Sequence, residues 1–246
     1  MHLTHPRPPF DPRAEAMLPG VGGFPASDRD LFLAGYSELC RLDLSGGHAL
    51  EICGGFGKLA AALANVLTDT KVTGLDLYAA NGPDVDEALK NHPNLEYVAG
   101  DAFDLSRYPE ASIDLIWGQA ALHHLSHDLG GLTREALRVL KPGGRLVFIF
   151  EPLGHNLAVA AIRAMRMARH ELGDECNLYL SQFERMGKSF ARTEVQAFNF
   201  FGYPAKALTD RFAPVAEGVK RLDATLFRRF PRLLRYAANC NVVFTK

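Results

Sequence analysis

Cysteine is scarce and scattered in this sequence of 246 residues. The four cysteines, Cys40, Cys53, Cys176 and Cys240, lie far apart and form no C-x-x-C pair. A disulfide framework or a zinc knuckle needs closely patterned thiols, and no set of His, Cys, Asp and Glu residues has the spacing of metal ligands. The sequence therefore predicts reduced thiols and no metal.

Long apolar runs and an excess of one charge are missing as well. No stretch approaches the ~18 apolar residues that a membrane-spanning helix needs, and the start, MHLTHPRPPFDPR, lacks the basic-then-apolar order of a signal peptide. The 27 basic and 28 acidic side chains give a net charge of −1, which provides no overall attraction to nucleic acid. We expect a cytoplasmic protein without a membrane span or a nucleic-acid partner.

The chain is long enough, and at 48% hydrophobic residues apolar enough, to bury one full core. Six prolines between residues 1 and 26 predict an arm without regular helix or sheet, and Ser27 is expected to open the first helix. Residues 27–246 are then expected to form one domain, with a core at 45–152 and closing helices and strands at 153–240.

Short apolar strands alternate with helices through the first 150 residues. The stretch from His48 to Asp76 predicts a strand, a glycine turn, a helix and a second strand that ends in an acid. This alternation predicts a doubly wound, mostly parallel α/β sheet. Further strands are predicted at 94–99, 112–118, 145–150, 194–203 and 241–245, and further helices at 83–91, 133–140, 157–172, 178–190 and 217–236.

The turn after the first strand is typical of a nucleotide-binding loop. Gly54, Gly55 and Gly57 let the backbone turn sharply and approach a ligand, and Asp76 can accept hydrogen bonds from two ribose hydroxyls. The run from Gly55 to Ala60 also matches the G-x-G-x-x-G/A fingerprint. The loop alone therefore fits a nicotinamide cofactor as well as another adenosine-containing ligand.

Several weak motifs in a fixed order decide between these cofactors. Glu51 precedes the glycine turn, Asp76 ends the second strand, Gly100-Asp101-Ala102-Phe103 follows the third strand, and Leu140-Lys141-Pro142-Gly143-Gly144 precedes the fifth. In this order the sequence resembles the class I S-adenosylmethionine-dependent methyltransferases, most closely over residues 45–152. The resemblance implies a seven-stranded Rossmann-like sheet of order 3-2-1-4-5-7-6, whose last strand is antiparallel.

The resemblance also implies that S-adenosylmethionine is the cofactor and that it contacts the loops after strands one to four. The methionine end would lie against the glycine loop, the ribose against the acid of the second strand, and the adenine against the loop after the third strand. The expected cofactor-binding residues are Glu51, Cys53, Gly54, Gly55, Gly57, Asp76, Leu77, Asp101, Ala102, Phe103 and Gln119.

Cys53 departs from the family, which usually has glycine at this position. We expect the small thiol to fit and binding to survive. A small buried residue without a chemical role is the simpler interpretation of this cysteine.

Methyl transfer is an in-line displacement, so the enzyme mainly has to position donor and acceptor. A hydroxyl acceptor would also need a base, and histidine suits that role near neutral pH. His123 and His124 follow the fourth strand, and Glu151 and His155 follow the fifth, all at the rim where an acceptor would arrive. We take His123, His124 and Glu151 as the catalytic candidates. The simpler alternative is that these side chains only hold backbone N–H groups.

The sequence thus predicts a small-molecule methyltransferase, with oxygen favoured as the acceptor atom and with a hydrophobic or acidic acceptor. Two other classes stay open: a non-catalytic S-adenosylmethionine-binding partner protein and an NAD(P)-dependent oxidoreductase. Residues 220–236 form a basic amphipathic stretch, which is commonly a solvated face over a core-facing stripe. It leaves open a peripheral membrane contact, and the chain leaves open a homodimer.

Overall fold

The computed structural model describes residues 1–21, 28–78, 83–168, 176–202, 205 and 212–246. The strands are β1 (His2–Thr4), β2 (His48–Ile52), β3 (Lys71–Asp76), β4 (Leu95–Ala99), β5 (Ile113–Gln119), β6 (Leu140–Pro152), β7 (Arg192–Phe198) and β8 (Asn239–Thr245). The α-helices are α1 (Pro12–Val21), α2 (Arg29–Cys40), α3 (Lys58–Val66), α4 (Pro83–Asn91), α5 (Leu129–Val139), α6 (Leu157–Ala168), α7 (Leu180–Gly187) and α8 (Ala213–Arg229). Two 3-10 helices cover Ser126–Asp128 and Pro231–Tyr236.

The strands form one sheet in the order β1-β7-β8-β6-β5-β2-β3-β4. β8 runs antiparallel to β6 and β7, and the other paired strands are parallel. Counted from β2 onwards and read from the other edge, the order is 3-2-1-4-5-7-6. The expected Rossmann-like methyltransferase fold is confirmed, together with its antiparallel last strand.

The sheet has eight strands instead of the expected seven because the amino-terminal arm is ordered. β1 pairs in parallel with the outer edge of β7, with His2 opposite Glu194, and α1 buries Ala14 and Met17 in the core. The expectation of an arm without helix or sheet was wrong. Pro12 stands at the first position of α1, where the missing N–H group costs nothing. Pairing with β1 also covers what would otherwise be an exposed strand edge.

Several predicted boundaries shift for local reasons. The helix predicted at 217–236 ends at Arg229 because Pro231 keeps Phe230 out of the helical region, at φ −132° and ψ 74°. α5 begins earlier than predicted, at Leu129, because the Asp128 side chain caps it by accepting the Gly131 N–H at 2.8 Å. Ser27, residues 169–172 of the helix predicted at 157–172, and Tyr203 of the strand predicted at 194–203 lie outside the described residues.

The sheet separates two apolar layers. Side chains alternate across it, so that Leu50 and Ile52 face one layer with α5 and α7, while Ala49 and Trp117 face the other with α1, α2 and α3. α8 buries Ala216, Asp223 and Phe227, and it leaves Leu222 52% exposed. The apolar residues of the basic stretch therefore do not all face the core. Within the described ranges, no helix is long and apolar enough to span a bilayer.

Candidate active site

The carboxyl ends of four parallel strands meet at one edge of the sheet. β2 pairs with β3 on one side and with β5 on the other, so the strand order reverses between the loops after β2 and β5. Crevices at such a reversal of strand order are the usual ligand sites of open parallel sheets. All the sequence-predicted site residues lie in the loops or strand ends at this edge.

The loop after β2 is a tight glycine turn held by backbone hydrogen bonds. The Gly54 N–H donates to the Leu75 carbonyl at 3.0 Å, and the Gly57 carbonyl accepts the Tyr97 hydroxyl at 2.5 Å. Gly55 and Gly57 have φ values of +52° and +70°. A Cβ on Gly57 would overlap the Tyr97 ring, whereas one on Gly55 would meet no heavy atom within 4 Å. The loop thus leaves open space beside Gly55, as a bound nucleotide requires.

Cys53 also has a positive φ, +55°, which side chains other than glycine rarely adopt. Backbone conformation, more than side-chain size, is therefore what would favour a glycine at this position. Burial raises the pKa of the Cys53 thiol to about 12, and the negative charges of Asp76 and Glu151 add to that shift. A thiol with this pKa stays protonated at neutral pH, so it is not poised as a nucleophile.

Asp76 ends β3 and organises the glycine loop. Its Oδ2 accepts the Gly55 N–H at 2.9 Å, and its Oδ1 accepts the Tyr78 N–H at 3.3 Å. Each carboxylate oxygen has a second lone pair, so both retain an acceptor position for a ribose hydroxyl. Leu77, next to it, is 66% exposed. The arrangement fits the ribose of an adenosine cofactor.

Glu51 is the buried acid of the site. Its side chain is 3% exposed, and its Oε2 accepts the Ala60 N–H from the first turn of α3 at 3.1 Å. Burial raises the pKa of Glu51 to about 8, the Ala60 hydrogen bond opposes that shift, and the charge of Asp76 adds to it. In the free protein this carboxyl is therefore largely neutral at pH 7, and a bound cation would favour its ionised form.

The loop after β4 carries the residues expected at the adenine. Asp101 is exposed, and its Oδ1 accepts the Phe103 N–H at 2.9 Å. Ala102 is buried, and the Phe103 ring lies 4.8 Å from the His127 ring between centroids. A free carboxylate edge next to a half-buried aromatic ring suits a flat, hydrogen-bonding base.

Gln119 is the last residue of β5, and its carboxamide is held from a different part of the chain. The Tyr36 hydroxyl of α2 donates to Gln119 Oε1 at 2.8 Å. The sequence predicted a helix here but assigned Tyr36 no role at the site. No local pattern reveals a hydrogen bond between residues 83 positions apart.

Glu151 and His123 form a buried pair behind the loop that follows β5. Glu151 is 0% exposed, and its Oε1 accepts the N–H groups of Ala121 and Leu122, both at 2.8 Å. Its Oε2 accepts the His123 N–H at 3.2 Å and contacts His123 Nδ1 at 2.8 Å. The carboxylate holds the whole turn, and it favours the histidine tautomer with a proton on Nδ1 and a lone pair on Nε2.

The other two histidines differ in their surroundings. His124 is exposed, and its ring lies 4.3 Å from that of His123 between centroids. His155 Nε2 accepts the Leu180 N–H at the start of α7, at 3.3 Å. Burial lowers the pKa of His155, and the nearby charge of Arg235 lowers it further. His155 therefore acts as a structural contact to α7. Among the described residues, no group of three or more side chains could hold a metal ion.

Residues 50–148 match a family model described as a methyltransferase domain. This segment, which is less than half of the chain, has the features of the class I S-adenosylmethionine-dependent methyltransferases. The match covers the crevice from β2 to β6, and the family uses S-adenosylmethionine. α2, α6, α7 and α8 lie outside the matched segment.

Two relatives named as methyltransferases match about half of the chain. A phthiotriol/phenolphthiotriol dimycocerosates methyltransferase of Mycobacterium ulcerans is 36% identical over 107 residues, which are 44% of this chain and 38% of the relative. The 27-O-demethylrifamycin SV methyltransferase of Amycolatopsis mediterranei is 33% identical over 137 residues, 51% of this chain and 47% of the relative. The chain spans less than half the length of these relatives.

Solved structures share the fold over most of the chain. A phosphoethanolamine N-methyltransferase of Haemonchus contortus, in complex with S-adenosylhomocysteine, has a TM-score of 0.58 at 17% identity and covers 89% of this chain and 56% of its own. An S-adenosylmethionine-dependent methyltransferase of Archaeoglobus fulgidus has a TM-score of 0.51 at 15% identity, over 82% and 88% of the two chains. At these identities the likeness shows the fold.

Proposed function

We propose that this chain transfers a methyl group from S-adenosylmethionine to a small-molecule acceptor. The observation that carries the proposal is the grouping of Glu51, the glycine loop and Asp76 at the sheet edge where the strand order reverses. We place the methionine end of the cofactor against Glu51 and Gln119, the ribose against Asp76 and the adenine beside Asp101. The bound cofactor would supply an electrophilic methyl carbon.

We further propose oxygen as the acceptor atom and His123 as its base. Glu151 favours the tautomer in which Nε2 carries the lone pair, as proton removal from a hydroxyl requires. The name of the rifamycin relative, whose acceptor is an O-demethyl compound, supports the same atom. In this scheme Glu151 acts through His123 and the backbone of the loop, and the exposed His124 supports the His123 ring.

The acceptor would enter beside the end of β6, where residues 153–240 and the arm shape the opening. Exposed aromatic side chains and a cation lie there: the Tyr179 ring is 5.2 Å from the His155 ring between centroids, and the Arg235 guanidinium is 5.8 Å from the centroid of the Tyr236 ring. Tyr179 and Tyr236 are 41% and 42% exposed, and Leu157, two residues after His155, is 84% exposed. This combination favours a largely hydrophobic acceptor that carries a negative charge.

Calorimetric titration with S-adenosylhomocysteine tests the cofactor assignment. We expect binding by the full chain and none by reduced nicotinamide dinucleotide. Asp76→Ala should weaken binding about tenfold or more through the lost ribose hydrogen bonds. Asp69→Ala is the matched control, because Asp69 is exposed and lies before the start of β3, away from the crevice. If the free chain binds no S-adenosylhomocysteine, the proposed function is wrong.

Transfer of a labelled methyl group to a panel of acceptors tests the reaction. The panel would contain 27-O-demethylrifamycin SV, a phthiotriol-type lipid and phosphoethanolamine as an amine. We expect labelling of a hydroxyl acceptor only, and loss of that labelling in His123→Gln with cofactor binding retained. Labelling of the amine alone would refute both oxygen and the base.

A further inference from the structure

The hydrogen bond from Tyr36 to Gln119 connects the crevice to a helix outside the matched domain. Tyr36 is 0% exposed and lies in α2, where every residue from Leu31 to Cys40 is buried. α2 approaches β6 so closely that a Cβ on Gly35 would come within 2.7 Å of the Ile149 side chain. A glycine just before Tyr36 therefore allows the phenol to reach the carboxyl end of the neighbouring strand, β5.

α2 is fixed to the sheet from several directions. Glu38 receives hydrogen bonds from Arg145 of β6 at 3.1 Å and from Gln196 of β7 at 2.9 Å. Asn241 of β8 donates to the Leu31 carbonyl at 2.9 Å. Contacts to three strands leave the helix little freedom to shift along the sheet. The Tyr36 hydroxyl is thus a rigid donor aimed at Gln119.

A rigid donor on Oε1 determines which end of the Gln119 carboxamide is available to a ligand. The oxygen faces Tyr36, so the amide nitrogen is the end that can meet a ligand, and within the described part of the chain no residue accepts from it. An amide nitrogen has two N–H donors and no acceptor. It therefore suits a carboxylate and cannot bind an ammonium group, which the neighbouring Glu51 suits.

We propose that Tyr36 is a positioning residue, which orients Gln119 so that its amide nitrogen donates to the carboxylate at the methionine end of S-adenosylmethionine. This inference rests on the proposed function. Glu51 then binds the ammonium group at the amino-acid end of the cofactor, and Gln119 binds the carboxylate. In this way α2, which lies outside the matched segment, would contribute to the affinity for the amino-acid end of the cofactor.

The test compares two ligands that differ only at that end. S-adenosylhomocysteine has the amino-acid group, and 5′-methylthioadenosine keeps the adenosine and the sulfur without it. Tyr36→Phe removes one hydroxyl and should weaken S-adenosylhomocysteine about fivefold, on the scale of one lost orienting hydrogen bond, without changing methylthioadenosine affinity. When Gln119 is already replaced by alanine, adding Tyr36→Phe should not weaken S-adenosylhomocysteine binding further, because the two residues act as one unit.

Tyr108→Phe is the matched control, since it also removes a buried hydroxyl, one with no hydrogen-bond partner among the described residues. It should leave both affinities unchanged. Should Tyr36→Phe fail to fold, Gln119→Glu replaces the donor by a carboxylate and should weaken only S-adenosylhomocysteine. Equal weakening of both ligands, unchanged affinities, or additive effects of the two substitutions would refute the positioning role while the proposed function stands. Absence of S-adenosylhomocysteine binding by the unsubstituted chain would instead remove the proposed function.

Discussion

Cofactor binding should release a proton from Glu51. Burial raises the pKa of this carboxyl to about 8, so at pH 7 roughly 0.9 of the molecules carry a proton there in the free protein. The ammonium of the cofactor would favour the carboxylate and return the pKa toward its ordinary value of 4.5, at which the group is ionised. Binding of S-adenosylhomocysteine at pH 7 should then release about 0.9 proton from this site.

Calorimetry in buffers of different ionisation enthalpy measures that number directly. The slope of the observed binding enthalpy against the buffer ionisation enthalpy is the count of protons exchanged. We expect a difference close to one proton between the unsubstituted chain and Glu51→Gln at pH 7, and a difference near zero at pH 9. Equal slopes for the two proteins at pH 7 would show that Glu51 is already ionised in the free protein or lies away from the ammonium.

The same shift has a second consequence, for the stability of the free protein. The folded-state pKa of Glu51 lies above its unfolded value of 4.5, so the contribution of this group is fully present below pH 4.5 and is lost as the pH rises through about 8. Denaturant unfolding of Glu51→Gln should therefore show a gain in stability relative to the unsubstituted chain across that interval. A constant difference from pH 4.5 to 8 would contradict the raised pKa.

Other substitutions test separate parts of the site. Glu151→Gln should lower the free energy of unfolding by ~3 kcal/mol, since an amide cannot accept all the N–H groups of the loop, whereas Glu135→Gln, at a partly exposed ion pair, should cost ~1 kcal/mol or less in urea unfolding. Cys53→Gly should be more stable than Cys53→Ala by roughly 1 kcal/mol, because only glycine relieves the positive φ, and equal unfolding midpoints would contradict that strain. Asp223→Ala should cost ~2 kcal/mol and speed proteolysis between residues 199 and 202, because the carboxylate accepts the N–H groups of Phe200 and Gly202; unchanged proteolysis would argue against this role.

The first half of the chain was readable because its signals are local. A strand, a glycine turn and a helix within thirty residues already imply a parallel unit, and the acids at Asp76 and Asp101 follow their strands directly. The arm was misread for the opposite reason: the prolines are visible in the sequence, but β1 exists only because β7, some 190 positions later, offers a free edge. The role of Glu151 also depends on a distant contact, because the loop that it holds lies 28 to 30 positions away across the β5–β6 pair.

Cys53 shows most clearly which features the sequence determines and which features need the tertiary structure. The sequence identified it as a departure from the family, and only the backbone revealed that the constraint is a left-handed conformation. By itself, the sequence determined the sheet class and the order of the loops at the sheet edge, because periodicity and turn residues act over a few positions. The cofactor followed from the resemblance of its ordered motifs to a known family. The tertiary structure decided which side chains act together: Tyr36 with Gln119, His123 with Glu151, and Glu51 with the start of α3. These pairs depend on strand register and helix docking, which long-range packing sets.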